Sequence, residues 1–565
     1  MTYDLRDAHW LPFRRASGRV DWGSPAFLVE GLLTDDPIVA LATPRPDFDG
    51  ALLEFLIGLL SAALAPADET EWAERWNAPP TCDELWGAFA KLPPAFDLEG
   101  NGDGPRAFQD LTTHDFTETG ASSVAQLLID SPGEQGIRQN KDLFVKRDRV
   151  ARLSRSAGAM AVITLQTYAP AGGAGNRTSL RGGGPLTTLV DPRPSFADAR
   201  YAGLWYMIWA NVETIDQREA RVVGNPGADA RDAFPWLDVT RQSNPKDGGK
   251  ATTPADVDPL QAYFGLPRRL RLDFGPCGPC DLTGRHDDCT VTGFRQRPWG
   301  VQYLGWQHPL SPYYETKDGW LPLHGQSEGI SWRDWLGLVV ADGAPGRRPA
   351  QTVTHFLRTR GPAVGCRRPS IVAFGYDMEN MKARGWIDAR LPALVASDAD
   401  AHDRMVALVR RLTEGTALAA SGLLYAVKNA MFGDADVSGD LSHVKQALWN
   451  ATESSFHEAL DAIADGRLTK DAVPAYRRTL ERHTLSVFDR AAGTEATAPD
   501  AMRRLVGARY SLSMQLTGKG KAGEKLFAAL GLPAPEAPRS RTGSPDGQHT
   551  AKRPRRASTP TRAST

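Results

Sequence analysis

The chain has 565 residues, which predicts roughly two to four folded units at a usual domain size of about 150 residues. Its 66 lysines and arginines nearly balance its 67 aspartates and glutamates, so the composition excludes a wholly basic, histone-like protein and confines any nucleic-acid site to a local patch. Hydrophobic residues make up 41% of the chain, as in globular proteins, while 54 glycines and 41 prolines indicate many loops.

The N-terminal segment interleaves acidic and basic residues and has no apolar signal-peptide core. The longest apolar run, Phe55–Ala65, is shorter than the ~20 residues that a membrane span needs. These features predict a cytoplasmic protein with no membrane partner. Over residues 1–393, apolar or β-branched runs such as Met160–Thr167 and Ser370–Tyr376 alternate with loops rich in Gly, Pro and Asp and with scattered helical stretches. This pattern predicts a large, irregular α+β domain.

Two neighbouring segments carry features of nucleic-acid contact. Lys141–Arg155 contains six basic residues with Phe144 among them, a combination that binds phosphates and stacks on bases. A solvated helical face is the alternative interpretation of this charge run. The next segment, Tyr168–Asn176 (YAPAGGAGN), is nearly free of side chains, so its backbone can approach a ligand or a nucleic-acid groove closely.

Three of the five cysteines fall in one short segment together with a histidine. Their spacing, Cys-x2-Cys-x5-His-x2-Cys, suits a closed tetrahedral site of three thiolates and one imidazole. We therefore predict a zinc-knuckle-like insert at 275–290 that holds structural zinc, with ordinary free thiols as the alternative. The predicted ligands are Cys277, Cys280, His286 and Cys289.

One motif suggests an enzyme. Gly325–Gly329 (GQSEG) matches the nucleophile elbow of serine hydrolases, with Ser327 as the nucleophile. The elbow requires a buried strand before the serine, and Pro322 disfavours a central strand there. A phosphate-binding loop around Lys250 fails because Ala251 stands where a serine or threonine is needed. The sequence thus predicts no nucleotide or organic cofactor.

Beyond residue 394, apolar residues recur at helical spacing in four successive segments. Their short polar connections predict a four-helix bundle over 394–530. The predicted helices are Asp403–Met431, Leu441–Ala464, Ala472–Ala491 and Pro499–Leu516. From 531 to 565, seven basic residues stand against two acidic ones among prolines, serines and threonines, which predicts a disordered basic tail.

Several segments, in order along the chain, resemble the CasA family, the large subunit of the type I-E CRISPR Cascade surveillance complex. The most specific is Tyr168–Val190 (YAPAGGAGNRTSLRGGGPLTTLV), with its glycine loop and LRGGGPLTTLV sequence. The other matching segments are HWLP at 9–12, FDL at 96–98, AFQ at 107–109, TGF at 292–294, HPLSP at 308–312 and GYDMENMK at 375–382. The resemblance extends to about Leu530 and covers both predicted domains.

The resemblance implies a non-catalytic subunit that recognises the protospacer-adjacent motif (PAM) in double-stranded DNA, nucleates R-loop formation by the guide RNA and recruits a helicase-nuclease. Its implied partners are the guide RNA, the target DNA, the backbone and small subunits of Cascade, and that helicase-nuclease. In the family, a glycine loop, a basic finger and a hairpin wedge contact the DNA at the motif. The matching residues are Gly172, Gly173, Ala174 and Gly175 in the loop, Arg295 and Arg297 in the finger, and Asn380 at the tip of the wedge.

The same resemblance implies contacts to RNA and to DNA strands elsewhere in the chain. The matching residues are Phe144, Lys146 and Arg147 for the guide RNA, and Arg503, Arg504 and Arg509 for strand phosphates. A solvated helical face is the alternative interpretation of these three arginines. Arg297 is the first choice for the finger, and since minor-groove edges carry a degenerate code, several motifs should be accepted with unequal strength. Two alternative functions stay open: a serine hydrolase using Ser327, and a zinc-containing nucleic-acid-binding protein outside CRISPR defence.

Overall fold

The computed structural model describes residues 2–533 apart from 103, 113–115, 141, 143–144, 146–148, 171, 224–228, 318, 343–345, 380–381, 434–435, 437–439 and 494–497. Its elements confirm the predicted α+β class, with mixed helices and strands in the N-terminal part followed by helices alone from residue 399 to 530 in the described chain. The predicted basic tail lies outside the described residues from 534 onward. No helix in the described part of the chain has the length and apolar character that crossing a membrane requires.

The described elements are as follows. The helices are α1 (Pro46–Ala63), α2 (Glu69–Asn77), α3 (Cys82–Ala90), α4 (Glu134–Arg138), α5 (Arg155–Tyr168), α6 (Leu204–Ala210), α7 (Ile215–Glu219), α8 (Ala230–Ala233), α9 (Trp335–Leu338), α10 (Gln351–His355), α11 (Gly361–Ala363), α12 (Ala399–Phe432), α13 (Ser442–Ala464), α14 (Ala472–Ala492), α15 (Pro499–Leu516) and α16 (Gly520–Leu530). The strands are β1 (Leu11–Arg15), β2 (Val20–Gly23), β3 (Ile38–Leu41), β4 (Ser122–Ser123), β5 (Leu153–Ser154), β6 (Thr187–Asp191), β7 (Arg269–Gly275), β8 (Gly278–Pro279), β9 (His286–Asp287), β10 (Thr290–Arg297), β11 (Tyr313–Thr316), β12 (Gly319–Pro322), β13 (Arg347–Arg348), β14 (Ser370–Glu379) and β15 (Lys382–Pro392).

Two buried helices, α1 and α5, pack against each other in the N-terminal part. Helix α1 begins with Pro46 and carries Asp47 and Asp49 in its first turn, where the free N–H groups and the helix dipole favour proline and negative charge. Most of its side chains are buried, and two of them are the carboxylates of Asp47 and Glu54. The long apolar run of the sequence therefore lies in a core helix that carries two carboxylates into the interior.

The strands form small sheets that bring distant segments together. Strand β10 pairs antiparallel with β4, β5 and β7, and its register with β7 places Arg297 opposite Arg269. Strands β14 and β15 form a long antiparallel hairpin, and the other edge of β14 pairs with β6. Since β6 directly follows the glycine-rich segment of the chain, this sheet fixes the hairpin beside that segment.

The four predicted C-terminal helices are confirmed as α12 to α15, each within a few residues of its predicted ends. The fifth helix, α16, was not predicted and packs against α12 and α15. Leu526 and Leu530 are its buried residues on that side. Gly523 is required by packing, because a Cβ there would lie 2.5 Å from the carbonyl carbon of Gly518.

The helices are joined to the mixed part by aromatic contacts. Trp332 donates its indole N–H to the carbonyl of Trp449 at 2.9 Å and stacks on Phe456. Trp335 contacts the same Phe456 edge-on and donates its indole N–H to the carbonyl of Pro392 in β15 at 2.7 Å. Because these indole groups are buried and hydrogen-bonded, the contact has the character of an internal core.

Candidate nucleic-acid interface

Three of the segments predicted to contact DNA lie together: residues 169–184, called here the glycine loop, the end of β10, and the β14–β15 hairpin. The backbone N–H of Trp299 donates to the carbonyl of Gly175 at 2.7 Å, and the Gln296 amide donates to the Asn176 side chain at 2.7 Å. On the other side, a Cβ on Gly184 would lie 2.6 Å from Cγ of Met378 in β14. The loop therefore contacts both of the other segments.

The glycine loop has no room for side chains where it touches β10 and is open where it faces outward. Gly175 has a φ of +80°, and a Cβ there would lie 2.7 Å from Cβ of Pro298 and 3.0 Å from the Trp299 ring. A Cβ on Gly172 would meet nothing within 4 Å, and Gly173 and Ala174 are exposed. Two of the predicted loop residues thus form an exposed tip with little side-chain bulk.

Glu54 of α1 holds both ends of the glycine loop. Its carboxylate accepts hydrogen bonds from the Tyr168 hydroxyl at 2.8 Å, the Thr187 hydroxyl at 2.7 Å and Nη2 of Arg181 at 2.6 Å. Both Glu54 and Arg181 are buried. Burial and the Glu54 charge raise the pKa of Tyr168, so its hydroxyl stays protonated and donates. The network fixes the residue that precedes the loop and a residue near its end.

Sequence reasoning did not identify Glu54 as a residue of this site. The available signal was a carboxylate directly before the apolar run Phe55–Ala65. A charged residue in a buried helix requires a partner. The identity of that partner depends on tertiary structure, because Arg181 lies 127 positions away.

The two predicted finger arginines differ in their surroundings. Arg295 is half-buried and donates from Nε to Asp273 at 3.0 Å and from Nη1 to the carbonyl of Thr119 at 2.8 Å. Arg297 is exposed at the last position of β10, and its side chain makes no hydrogen bond or ion pair with any other described residue. The guanidinium of Arg297 is therefore free to bind an external acceptor, while that of Arg295 is already engaged.

The β14–β15 hairpin is anchored to α1 and to the segment before Ser327. The Tyr376 hydroxyl donates to Asp47 at 2.6 Å, and burial together with the Asp47 charge raises the pKa of Tyr376. Asp377 accepts from Arg384 across the hairpin at 2.7 Å and forms a β-bridge with Gly325. Asn380, the predicted tip residue, lies outside the described residues.

The predicted zinc ligands lie on one small hairpin, in which Gly278 of β8 pairs with Asp287 of β9. Cys277 is exposed and Cys280 is buried. Burial disfavours the Cys280 thiolate, but hydrogen bonds, including those from Thr283 and Ser154, outweigh burial and lower its pKa.

The structure nevertheless does not gather the four residues Cys277, Cys280, His286 and Cys289 around a common point. Within the described ranges, no group of three or more His, Cys, Asp or Glu side chains is placed to hold a metal ion. The hairpin is held instead by Asp281, whose carboxylate accepts from the backbone N–H groups of Ala151 and Arg152. The described side chains are thus not arranged as a metal site in this structure, and the zinc stays a prediction from spacing alone.

The remaining predicted nucleic-acid residues fall into two groups. Phe144, Lys146 and Arg147 lie outside the described residues. On α15, Arg503 pairs with Asp500 at 3.2 Å and Arg509 with Asp489 at 2.7 Å. Arg504 is exposed, and its side chain has no ion pair among the described residues. The structure thus leaves Arg504 as the unpaired cation of the three on α15.

Ser327 lies in an exposed turn, with no helix directly after it. Pro322 is the last residue of β12, which pairs only with β11 among the described strands. Residues 319–338, all of them described, therefore lack the strand–serine–helix arrangement of a nucleophile elbow, and the geometry does not support the hydrolase alternative.

Comparison with known proteins identifies the fold. The family model described as CRISPR-associated protein Cse1 matches residues 4–487. The structure is similar to Cse1 from Acidimicrobium ferrooxidans, with a TM-score of 0.65 and 17% identity over 95% of this chain and 99% of that one. It is also similar to CasA from Thermus thermophilus, with a TM-score of 0.64 and 15% identity over 94% of this chain and 100% of that one. A chain solved as part of a CRISPR RNA-guided surveillance complex matches with a TM-score of 0.61 and 17% identity, over 90% of this chain and 99% of the other.

Proposed function

The chain belongs to the Cse1 family of CRISPR-associated proteins, and from that premise we propose that it is the non-catalytic large subunit of a type I-E Cascade complex. In this role it recognises a short motif in double-stranded DNA and nucleates R-loop formation by the guide RNA. It then presents the opened target to a recruited helicase-nuclease. The observation that carries the proposal is that one segment, the glycine loop, contacts both the end of β10, where Arg297 has no partner among the described residues, and the β14–β15 hairpin.

Motif recognition rests on the contrast between Arg297 and Arg295. An exposed guanidinium can donate to base edges, and in the minor groove those edges distinguish A·T from G·C but not A·T from T·A. Arg295 supports the strand through Asp273 and backbone carbonyls. We therefore assign the finger to Arg297 and a supporting role to Arg295.

The glycine loop allows the protein backbone to lie close to the duplex. Its exposed tip at Gly173 and Ala174 presents little side-chain bulk, and Gly172 has open space where a side chain would point. Backbone N–H groups can then contact phosphates or base edges, contacts that fix the position of a protein on the duplex. The Glu54 network keeps the loop in the conformation that permits this approach.

Strand separation is assigned to the β14–β15 hairpin and to Asn380, which the sequence places between its two strands. A polar tip residue beside an apolar one can replace part of the pairing and stacking that opening a duplex removes. The anchoring of Tyr376 on Asp47 gives the hairpin the rigidity that a wedge needs. Once the first base pairs open, the guide RNA reads the sequence by base pairing.

The other contacts of the complex follow from the same premise. We assign Phe144, Lys146 and Arg147 to the guide RNA, and the C-terminal helices to the small subunits and to strand phosphates near Arg504. The presence of a similar chain in an RNA-guided surveillance complex supports this assembly. The predicted zinc is not needed for any of these contacts.

Binding to a library of target duplexes tests the proposal. The chain is reconstituted with a guide RNA and Cascade partners, and Kd is measured for duplexes that carry a randomised flanking trinucleotide. Arg297→Ala should weaken binding to the preferred flanks by about 1–3 kcal/mol and flatten the preference among them. The control Arg358→Ala removes another exposed arginine that has no ion pair among the described residues, and it should leave the preference unchanged. An unchanged preference in Arg297→Ala would remove Arg297 from the site, and a wild-type complex without any preference would refute the proposed function.

A further inference from the structure

Arg268 is a buried cation directly behind the glycine loop. Only 5% of its surface is exposed, and Nη2 donates a hydrogen bond to the carbonyl of Pro170 in the first turn of the loop. Gln166 of α5 fixes its backbone by accepting from the Arg268 N–H and donating to the Arg268 carbonyl, each at 3.0 Å. Both the position and the direction of this side chain are therefore set by packing.

The charge of Arg268 has no counter-ion within the part of the chain that the structure describes. No carboxylate among the described residues contacts its guanidinium, and Nε is buried without a hydrogen-bond partner. Burial lowers the pKa of Arg268 to about 10, so the group is still charged at neutral pH. Two other buried arginines have carboxylate partners, Arg269 in Asp110 and Arg181 in Glu54. An unpaired buried cation is unfavourable for folding, which suggests that Arg268 acts on something outside the chain.

Arg268 also lies beside the end of β10. The next residue, Arg269, pairs with Arg297 across the β7–β10 ladder. A Cβ on Gly300 would lie 3.3 Å from the backbone nitrogen of Arg268, so the turn after β10 closes over this position. The buried charge thus lies behind the two parts of the surface, the glycine loop and the Arg297 strand end, that are proposed to meet DNA. Salt screens a buried charge much less than an exposed one.

We propose that Arg268 is an electrostatic positioning residue for the phosphate backbone of double-stranded DNA. It orients the glycine loop through the Pro170 carbonyl, and its unbalanced charge attracts a phosphate of the duplex that rests on the loop. The bound phosphate offsets a charge that the free protein leaves uncompensated. This inference rests on the proposed function of the site, which it extends from motif reading to backbone binding.

Charge removal at this position separates the electrostatic role from a structural one. Arg268→Met keeps an unbranched side chain without the charge, while Arg268→Lys keeps the charge without the guanidinium. In the reconstituted complex, Arg268→Met should weaken duplex binding about tenfold and make the slope of log Kd against log salt shallower by about 1, the effect of one lost phosphate interaction. Arg268→Lys should retain the wild-type salt slope. The thermal unfolding temperature of the Arg268→Met chain should be equal to or above that of the wild type.

The opposite results would overturn the inference. A lower unfolding temperature in Arg268→Met together with an unchanged salt slope would show that Arg268 only supports the fold. If Arg268→Met does not assemble, Arg268→Gln is compared with Arg268→Lys by the same salt titration, and equal slopes would again reject the electrostatic role. A wild-type complex that ignores the flanking sequence overturns the proposed function, and with it this inference. If the wild-type complex depends on the flanking sequence but Arg268→Met binds the duplex with the wild-type affinity and salt slope, the inference is overturned and the proposed function stands.

Discussion

Replacing Glu54 by alanine should release the glycine loop. The substitution removes the acceptor of three side-chain hydrogen bonds, from Tyr168, Thr187 and Arg181. It also leaves Arg181, whose side chain is only 3% exposed, as a buried cation without its carboxylate. Breaking a buried ion pair on one side costs about 3–5 kcal/mol. Glu54→Gln keeps the shape of the side chain and one acceptor oxygen. It should therefore destabilise the loop less than Glu54→Ala, by about 1.5–3 kcal/mol, the contribution of a hydrogen bond to a charged group.

Hydrogen exchange of the loop amides measures this effect where it arises. The backbone N–H groups of Ser179, Gly182 and Gly184 donate to the carbonyls of Ala169, Ser179 and Tyr168 and close the loop. If the network holds them, Glu54→Ala should raise the local opening constant by about 100- to 4,000-fold, because each 1.4 kcal/mol is a factor of ten. Amides of α12 report the stability of the helical part and should exchange at wild-type rates.

A matched control removes an exposed carboxylate from an ion pair of the same type. Asp500 and Arg503 are each 81% exposed, so Asp500→Ala should change stability by no more than about 0.5 kcal/mol. Unchanged protection of Ser179, Gly182 and Gly184 in Glu54→Ala would refute the reasoning that this carboxylate holds the loop. Equal losses of protection in the loop and in α12 would show a global rather than a local role.

Three further predictions concern stability. Gly175→Ala should lower the free energy of unfolding by about 1–3 kcal/mol, because the φ of Gly175 is +80° and the added Cβ would overlap Pro298 and the Trp299 ring. Gly172→Ala, where the added Cβ meets nothing, should leave the unfolding temperature unchanged in differential scanning calorimetry. Burial acts to raise the pKa of Glu69, but hydrogen bonds from His355 and Arg360 outweigh burial and lower this pKa to about 2. A carboxyl whose pKa is lowered on folding stabilises the fold at pH values above its unfolded pKa. The difference in unfolding temperature between the wild type and Glu69→Gln should therefore narrow as the pH falls from about 6 to about 3. A difference that stays constant over this range would contradict the prediction. Trp332→Ala should lower the free energy of unfolding by about 3–5 kcal/mol, because it removes buried packing between the mixed part and the C-terminal helices. An unchanged unfolding profile would show that this contact does not couple the two parts.

The C-terminal helices could be predicted because their apolar residues recur at helical spacing over long segments. The same approach does not resolve the run Met160–Thr167, which lies in the buried helix α5, while Ser370–Tyr376 lies in strand β14. A continuous apolar run has no polar face, so its period cannot distinguish a buried helix from a buried strand. Helix α16 was missed because Gly520 and Gly523 disfavour helix in a local pattern, although the structure uses Gly523 for close packing.

The site could be predicted only as separate segments. The resemblance to a family placed the glycine loop and the finger arginines, but the pairing of Arg295 with Asp273 depends on the register of β7 and β10, which no local pattern gives. Glu54 was not identified because its partner Arg181 is distant in sequence. Arg268 was not identified because a local pattern does not show that it is buried without a carboxylate partner among the described residues. In the cysteine hairpin, spacing alone predicted ligands, whereas the fold uses Asp281 and the backbone to hold the segment.

Strand opening by the reconstituted complex tests the central claim most directly. A target duplex with a fluorescent base analogue in the first base pairs beside the motif is mixed with guide-loaded complex, with and without this subunit. The account predicts that the fluorescence of the unstacked analogue rises only when the subunit is present and the flanking motif is a preferred one. Equal opening without the subunit, or opening that ignores the flank, would contradict the account.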